Sequence, residues 1–412
     1  MTENCSNKIK NTSFRIMQVS IILAVFFVPL VQFLFYLFFF IALLSWIIRL
    51  FYRRNLFKEI MEIPIIKPFL FLFILGSFSF LWGIDPGSSF DGWGKILQAF
   101  LSYIMLYEAL NSPRIVKNAL LGVVIALFIT TTYGIAGFYG GWEENARRLT
   151  SFFTNPNPLA VYLLLTSLLA LGITFSTQYT KPWRIFALFS FAFSVWAMVL
   201  TMTRGVWVAL PFGIIVFAVI VGYKNRKNFS SIIIIFLLIA VLLSLGLEFE
   251  LFSSYFSRRV DSLFIIDSGR ERIWKASWEM FKDNPILGIG VGNFSEVAPL
   301  YMEGRTYSHA HNLFIHIALE LGLLGIFAIL WFVYELGKRL IPLLFSSSHY
   351  QPILAGIFGV FASFFIQTLT DLSIYDRGLT LVLVFVISLG IYLSQHGYGE
   401  KESREELSLK NS

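Results

Sequence analysis

The stretch YSHAHNLFIHIALELGLLG, Tyr307–Gly325, is polar at its start and apolar from Leu313 onward. It holds three of the five histidines in the chain. A histidine at such a junction sits where water gives way to hydrocarbon, and its imidazole can still exchange protons there. On a helical register His311 shares a face with Ile315, Leu319 and Gly322, and His316 lies one turn before Glu320, so those two can pair inside the membrane. The second half of the stretch thus reads as the start of a membrane-crossing helix.

The surrounding sequence agrees. Of 412 residues, 57% are hydrophobic, 17% aromatic and only 14% charged. Soluble domains carry roughly 25% charged residues. Many apolar runs reach about 17 residues or more, enough to cross a bilayer. The fold class expected is an all-α integral membrane protein with about 12 transmembrane helices. The spans fall near 16–31, 33–52, 68–84, 96–111, 117–138, 157–176, 184–203, 205–223, 229–248, 312–336, 351–370 and 379–395. Residues 16–52 form a hairpin turning near Pro29–Gln32. Between spans 9 and 10 lies a long, partly helical loop, 249–311, whose arginines and histidines are candidate site residues. The whole of 1–412 reads as one polytopic domain, without an internal repeat or a soluble second domain.

An even number of spans puts both termini on one side, and the positive-inside rule places them in the cytoplasm. The inner loops then hold Arg49, Arg53, Arg54, Lys58, Lys67, Arg114, Lys117, Lys181, Arg184, Lys224, Arg226, Lys227, Lys338 and Arg339. The first apolar run follows Lys8, Lys10 and Arg15 and lacks a small-residue cleavage site, so it reads as a retained span. Cys5 is the single cysteine, which excludes an intrachain disulfide and a cysteine metal cluster. The net charge of +7 is spread through loops and gives no nucleic-acid signal.

The outer side keeps Arg147, Arg148, Arg204, Arg258, Arg259, Arg270, Arg272, Arg305 and Arg377. Guanidinium recognises phosphate with two parallel hydrogen bonds, which an ammonium cannot do. Arginines around one cavity point to a lipid phosphate or pyrophosphate; snorkelling at the interface is the plainer reading for any one of them. Arg204, in TMTRGVWVA, sits between two apolar spans with no loop to solvate it. A fixed charge beside hydrocarbon costs at least a few kcal/mol unless it is paired.

The loop segment DSGRERIWKASWEMFKDNP reads as a helix capped by Asp267 or Ser268 and ending at Asn284-Pro285. Trp274, Trp278 and Phe281 recur at helical spacing, as in a helix lying on the membrane surface. At about 100° per residue Arg270 projects within about 20° of Phe281, while Arg272 points away and is solvated. Arg270, in the first turn, can share an anion with the free N–H groups. His309 precedes the next helix, where it can cap the helix, meet substrate or simply be solvated. No D-x-D or carboxylate cluster marks a magnesium or manganese site. The HAH and HNLFIH spacings resemble zinc ligands but have no ligands from a second element beside them, so no metal is assigned.

Three regions together resemble the O-antigen ligase family, within the superfamily that also contains O-antigen polymerases and protein O-oligosaccharyltransferases. They are RRLTSFFTNPNPLAVYL (Arg147–Leu163), TRGVWVAL with SGRERIW and NPILGIGVGNF, and the histidine stretch with its H-N-x9-G-x-x-G spacing. The resemblance implies transfer of a glycan from undecaprenyl pyrophosphate to an acceptor at the periplasmic face of the bacterial inner membrane. For a ligase the acceptor is the lipid A core. It also implies that His311 is the essential histidine, that Arg204 and Arg270 bind pyrophosphate, and that no cofactor or metal is required. Arg147, Arg148, His309, Asn312 and Asp371 are the further substrate-binding candidates. Spacing leaves open whether Asp371 orients His311 or pairs with an arginine. Partners expected are the lipid-linked donor, the lipid A core and membrane lipids, with no nucleic acid.

In the mechanism that follows, neutral His311 takes the proton of an acceptor hydroxyl whose oxygen attacks the anomeric carbon opposite the pyrophosphate, inverting that centre. Arg204 and Arg270 stabilise the leaving charge. Activity should then fall at acidic pH, and a flat profile down to about pH 5 would contradict the base. The rival readings are a polymerase or protein O-oligosaccharyltransferase of the same superfamily, and a lipid-linked glycan transporter. Transporters show repeats and polar residues at mid-membrane, whereas here the polar residues gather at the outer rim.

Overall fold

A computed structural model describes residues 3–53, 55–141, 148–224, 270–345, 349–372 and 375–396. Among these residues the chain is helical and contains no strand. Helices α1 (Glu3–Phe27) and α2 (Gln32–Leu50) form the expected hairpin. A short α3 (Leu56–Met61) leads to α4 (Ile66–Phe78), α5 (Pro86–Ala109), α6 (Pro113–Gly140), α7 (Pro156–Phe175), α8 (Lys181–Leu200) and α9 (Arg204–Lys224). Then come α10 (Arg270–Asp283), α11 (Phe294–Tyr301), α12 (Leu313–Leu340), α13 (Gln351–Thr368) and α14 (Arg377–His396).

The helix starts are written in the sequence. Helices α5, α6, α7, α8 and α13 carry proline in the first turn, where its missing N–H costs nothing. Asp85 caps α5 by accepting from Ser88 N at 2.6 Å, and Asn155 caps α7 by accepting from Asn157 N at 2.9 Å.

Among the described residues nine helices are long and apolar enough to cross a membrane, and the chain is a multi-pass membrane protein. The count of about twelve is not reproduced among the described residues. The third expected span is a shorter apolar helix, Ile66–Leu81. The fourth is α5, which starts ten residues before the expected 96 because Asp85 caps it there. It carries Asp91 and Lys95 in its first turns, so it falls outside the nine. The ninth, 229–248, lies outside the described residues, as do most of the loop 249–269, Arg147, Arg258, Arg259 and the proposed caps Asp267 and Ser268.

Helices α7 and α14 form the centre: 89% of the most apolar window of each is buried, against 22% for α2. The outer helices turn Phe33, Phe40 and Phe212 outward, the faces that lipid covers. Where α9 crosses α13, Gly213 and Gly359 meet backbone to backbone. A Cβ on either would lie 2.8 Å from the other's carbonyl oxygen. At the opposite end from the histidines, Arg49 and Arg53 converge on Glu108, the Arg53 Nη1–Oε1 contact being 2.6 Å.

Helix α12 is broken at Gly322, which has φ 62° and ψ −158°. Residues 285–290 lie against the break and take up its hydrogen bonds. Leu323 N donates to Pro285 O at 2.9 Å, Ile289 N to Leu319 O at 2.8 Å and Gly290 N to Glu320 O at 3.0 Å. A Cβ on Gly322 would lie 2.2 Å from Ile286 O, and one on Gly288 2.5 Å from Leu319 O. Both glycines are required, by positive φ and by contact together. The NPILGIGVGNF turn is thereby built into the membrane end of α12. Asn293, fully buried, pins it to the α4–α5 turn by donating to Ser89 Oγ at 2.8 Å and accepting from Asp85 N at 2.8 Å.

Candidate functional site

Helix α12 begins at Leu313, not before it. Asn312 is the N-cap, its Oδ1 accepting from Phe314 N at 3.0 Å and Ile315 N at 3.1 Å. His311 is therefore not on the helical face with Ile315 and Leu319: it stands outside the helix in a left-handed turn, φ 51°. The helical register cannot be extended back past a capping residue with extended backbone, which Asn312 has. The cap role open to His309 is also taken by Asn312. The Asn312 Nδ2 donates to Leu369 O at 3.1 Å, fastening the α12 start to the α13–α14 turn.

That turn carries Asp371, whose carboxylate faces both histidines. Asp371 Oδ1 lies 3.5 Å from His309 Nε2 and 3.7 Å from His311 Nδ1, and the two imidazole centroids are 4.2 Å apart. His309 Nδ1 is 2.8 Å from Ser308 Oγ. The Leu372 N–H donates to Asp371 Oδ1 at 2.8 Å. Burial pushes the Asp371 carboxyl up, but the two imidazoles and the Leu372 N–H outweigh it and hold the group below the usual carboxylate range. Asp371 is thus an anion at neutral pH. Of the alternatives left by spacing, its carboxylate faces His311, and its charge is felt at an arginine.

The arginine is Arg270, half-buried in the first turn of α10. Burial lowers its affinity for the proton, Asp371 opposes that, and the charge of Arg204 adds to it. Arg204 opens α9, whose Gly205 packs against Gln367 and Thr370 of the Asp371 turn. Four separate elements thus bring Arg204, Arg270, the two histidines and Asp371 to one end of the bundle. Arg272 is exposed.

Helix α10 packs one side against the protein: Ile273, Ala276 and Met280 meet Phe294, Val297, Ala298 and Leu319. Trp274 Nε1 donates to Ala310 O at 3.1 Å, between the two histidines, while Trp278 is left exposed and stacks on Phe281 at 5.6 Å. The Trp274 bond ties the first turn of α10 to the histidine segment.

Other candidates have structural partners. Arg148 Nε donates to Thr201 O at 2.8 Å and Nη2 to Asn157 Oδ1 at 2.8 Å, which ties the chain before α7 to the α8–α9 turn. Arg377 pairs with Asp91 at 2.8 Å. His316 and Glu320 pair at 3.2 Å, as their spacing implies, and Tyr375 joins them by donating to Glu320 Oε2 at 2.6 Å and meeting His316 Nε2. Tyr375 was not anticipated from sequence; its signal was the short polar break DLSIYDR between two apolar runs. An apolar cavity of about 210 Å³ runs along α12, lined by Phe69, Leu72, Leu313, Ile317, Glu320 and Phe332 among others.

The histidine spacing does gain a ligand from another element. His309, His311 and Asp371 each offer one atom, all within 4.8 Å of one another. Sequence spacing could not reveal it, because Asp371 is sixty residues away in the chain.

Residues 189–330 match the family model described as O-Antigen ligase. The match takes in Arg204, Arg270, His309, His311 and Asn312 and ends before Asp371. No curated protein matched the chain.

Proposed function

We propose that the chain transfers O-antigen glycan from undecaprenyl pyrophosphate to lipid A core at the periplasmic face of the inner membrane, a reading supported by the match of residues 189–330 to the O-antigen ligase family model. The observation that carries the reading is the convergence of two arginines and a carboxylate-backed histidine at one end of the bundle.

In this mechanism the side of His311 that faces Asp371 is Nδ1, so a proton held there leaves Nε2 with its lone pair outward. Nε2 accepts the proton of the acceptor hydroxyl as its oxygen forms a bond to the anomeric carbon. The bond from that carbon to the pyrophosphate oxygen breaks on the opposite face, so the centre inverts. Asp371 stays charged and stabilises the imidazolium that results. Arg204 and Arg270 take the charge on the departing pyrophosphate, worth several kcal/mol in a water-poor site. Two fixed guanidiniums fill the role of a metal, so transfer is metal-independent. The apolar cavity beside Leu313 offers room for part of the polyprenyl tail.

The test uses purified protein, undecaprenyl-pyrophosphate glycan and lipid A core, with and without EDTA. Transfer to lipid A that survives EDTA and is lost in Arg204→Ala supports the ligase. Lengthening of the donor glycan without transfer to lipid A assigns a polymerase instead, and transfer to a protein acceptor assigns the oligosaccharyltransferase. Absence of donor turnover under every condition favours a transporter.

A further inference from the structure

The transfer mechanism gives His309 no proton to move, yet it is aimed at the same carboxylate as His311. We propose that His309, His311 and Asp371 form an inhibitory site for a borderline divalent transition cation, with Zn²⁺ the best fit. The binding stands on geometry alone; the inhibition rests on His311 being the base.

The ligand atoms are His309 Nε2, His311 Nδ1 and Asp371 Oδ1. A tetrahedral zinc with bonds of about 2.0–2.1 Å holds its ligand atoms roughly 3.4 Å apart. The two histidine–aspartate edges, 3.5 and 3.7 Å, already match. The third edge is at most 4.8 Å and needs closing by about 1.4 Å at most, within reach of side-chain rotation. Both nitrogens are inaccessible to solvent and face the one carboxylate oxygen from 3.5 and 3.7 Å, longer than an ordinary hydrogen bond. Two imidazole nitrogens and a carboxylate oxygen so placed make a ligand set that side-chain rotation can close.

The surroundings favour the same ion. Ser308 Oγ can accept from His309 Nδ1–H, which leaves the Nε2 lone pair toward Asp371. The side chains of His309 and His311 are 23% and 33% exposed, so an ion has a way in and keeps a position for water. Two imidazoles and one carboxylate suit zinc, copper and nickel and do not suit magnesium or calcium. Arg270 and Arg204 oppose a cation here, so binding is moderate and not of structural-zinc tightness. A metal on Nδ1 leaves the remaining imidazole proton on Nε2. That nitrogen then has no lone pair for the acceptor hydroxyl, and transfer stops.

The experiment is a Co²⁺ titration of the full chain in detergent, purified without a histidine tag and followed by visible absorption, with Zn²⁺ as competitor. Saturable binding at one equivalent is expected, weakened about tenfold or more in His309→Ala and in Asp371→Asn and retained in His396→Ala. Zn²⁺ should inhibit transfer reversibly with EDTA, and Mg²⁺ should have no effect. Undiminished binding in His309→Ala, or no binding in the wild type, overturns the site whether or not the protein is a transferase. Binding that leaves transfer unchanged or raises it overturns the inhibition and puts the His311 base in question, while the metal site stands.

Discussion

His311 holds a left-handed backbone conformation, φ 51°, which costs a non-glycine residue of order 1–3 kcal/mol and tends to persist at functional sites. The strain is met locally: Asn312 caps α12 immediately after it and Trp274 binds Ala310 O immediately before it. His311→Gly should therefore raise thermal stability by about 1 kcal/mol while removing transfer, read by melting temperature and turnover on the same sample. A loss of stability with loss of activity would make His311 a structural residue. Asp371→Asn, which keeps the shape and removes the charge, should slow turnover about a hundredfold with little change in KM, since general-base help is worth roughly 10²–10⁴-fold. The pH dependence has a definite sign. Asp371, depressed below the carboxylate range, contributes its full stability above the ordinary pKa of about 3.9 and loses it only as pH falls through its lower native value. Held below the carboxylate range, it stays charged on the acid side of neutrality, so a decline of activity there is not its own protonation. His311, Arg204 and Arg270 could be picked out from the sequence because motif and stranded charge mark single residues. Asp371, which faces His311, could not be fixed, since a contact across sixty residues leaves no periodic trace.

At the scale of elements, the break in α12 organises the site. Gly322 ends the first turns of the helix, and residues 285–290 replace the lost helical hydrogen bonds. Through this splice the loop that follows α10 is bound to the helix that follows the histidines. Gly322→Ala combines a strained φ with a contact of 2.2 Å to Ile286 O. It should destabilise the protein by at least 1–3 kcal/mol, roughly the cost of the strained backbone alone. Gly337→Ala in the same helix meets only Ile341 Cδ1, at 3.5 Å, and should be neutral or slightly stabilising. Equal melting temperatures for the two variants would contradict the splice. The end of α10 before Asn284-Pro285 and the different exposure of Arg270 and Arg272 were legible from the sequence pattern. The splice was not: a helical register reads straight through a glycine, and nothing in the run LELGLLG shows that another strand of backbone lies against it.

For the whole molecule, α1 and the end of α14 meet the far end of α5, opposite the histidines: Gln18 Nε2 donates to Ala109 O at 2.8 Å and Gln395 Nε2 to the Tyr107 hydroxyl at 3.1 Å. Hydropathy alone made the multi-pass architecture legible, while α4 and α5 show why counting was harder: one is short and the other carries charge into its first turns. Two faces are then distinguishable by labelling. Cys5, the single cysteine, should react with a membrane-impermeant thiol reagent only in inverted vesicles, and Ser308→Cys in a Cys5→Ser background only in right-side-out ones. Labelling of both from one side would overturn the topology. The most direct measurement of the central claim is release of undecaprenyl pyrophosphate from the glycan-loaded donor, comparing wild type with His311→Ala, Arg204→Ala and Arg270→Ala at matched melting temperature. We expect release only with acceptor present, reduced about 10²–10⁴-fold in His311→Ala and strongly in both arginine variants. Wild-type rates of release in folded His311→Ala would contradict the assignment of this histidine as the base.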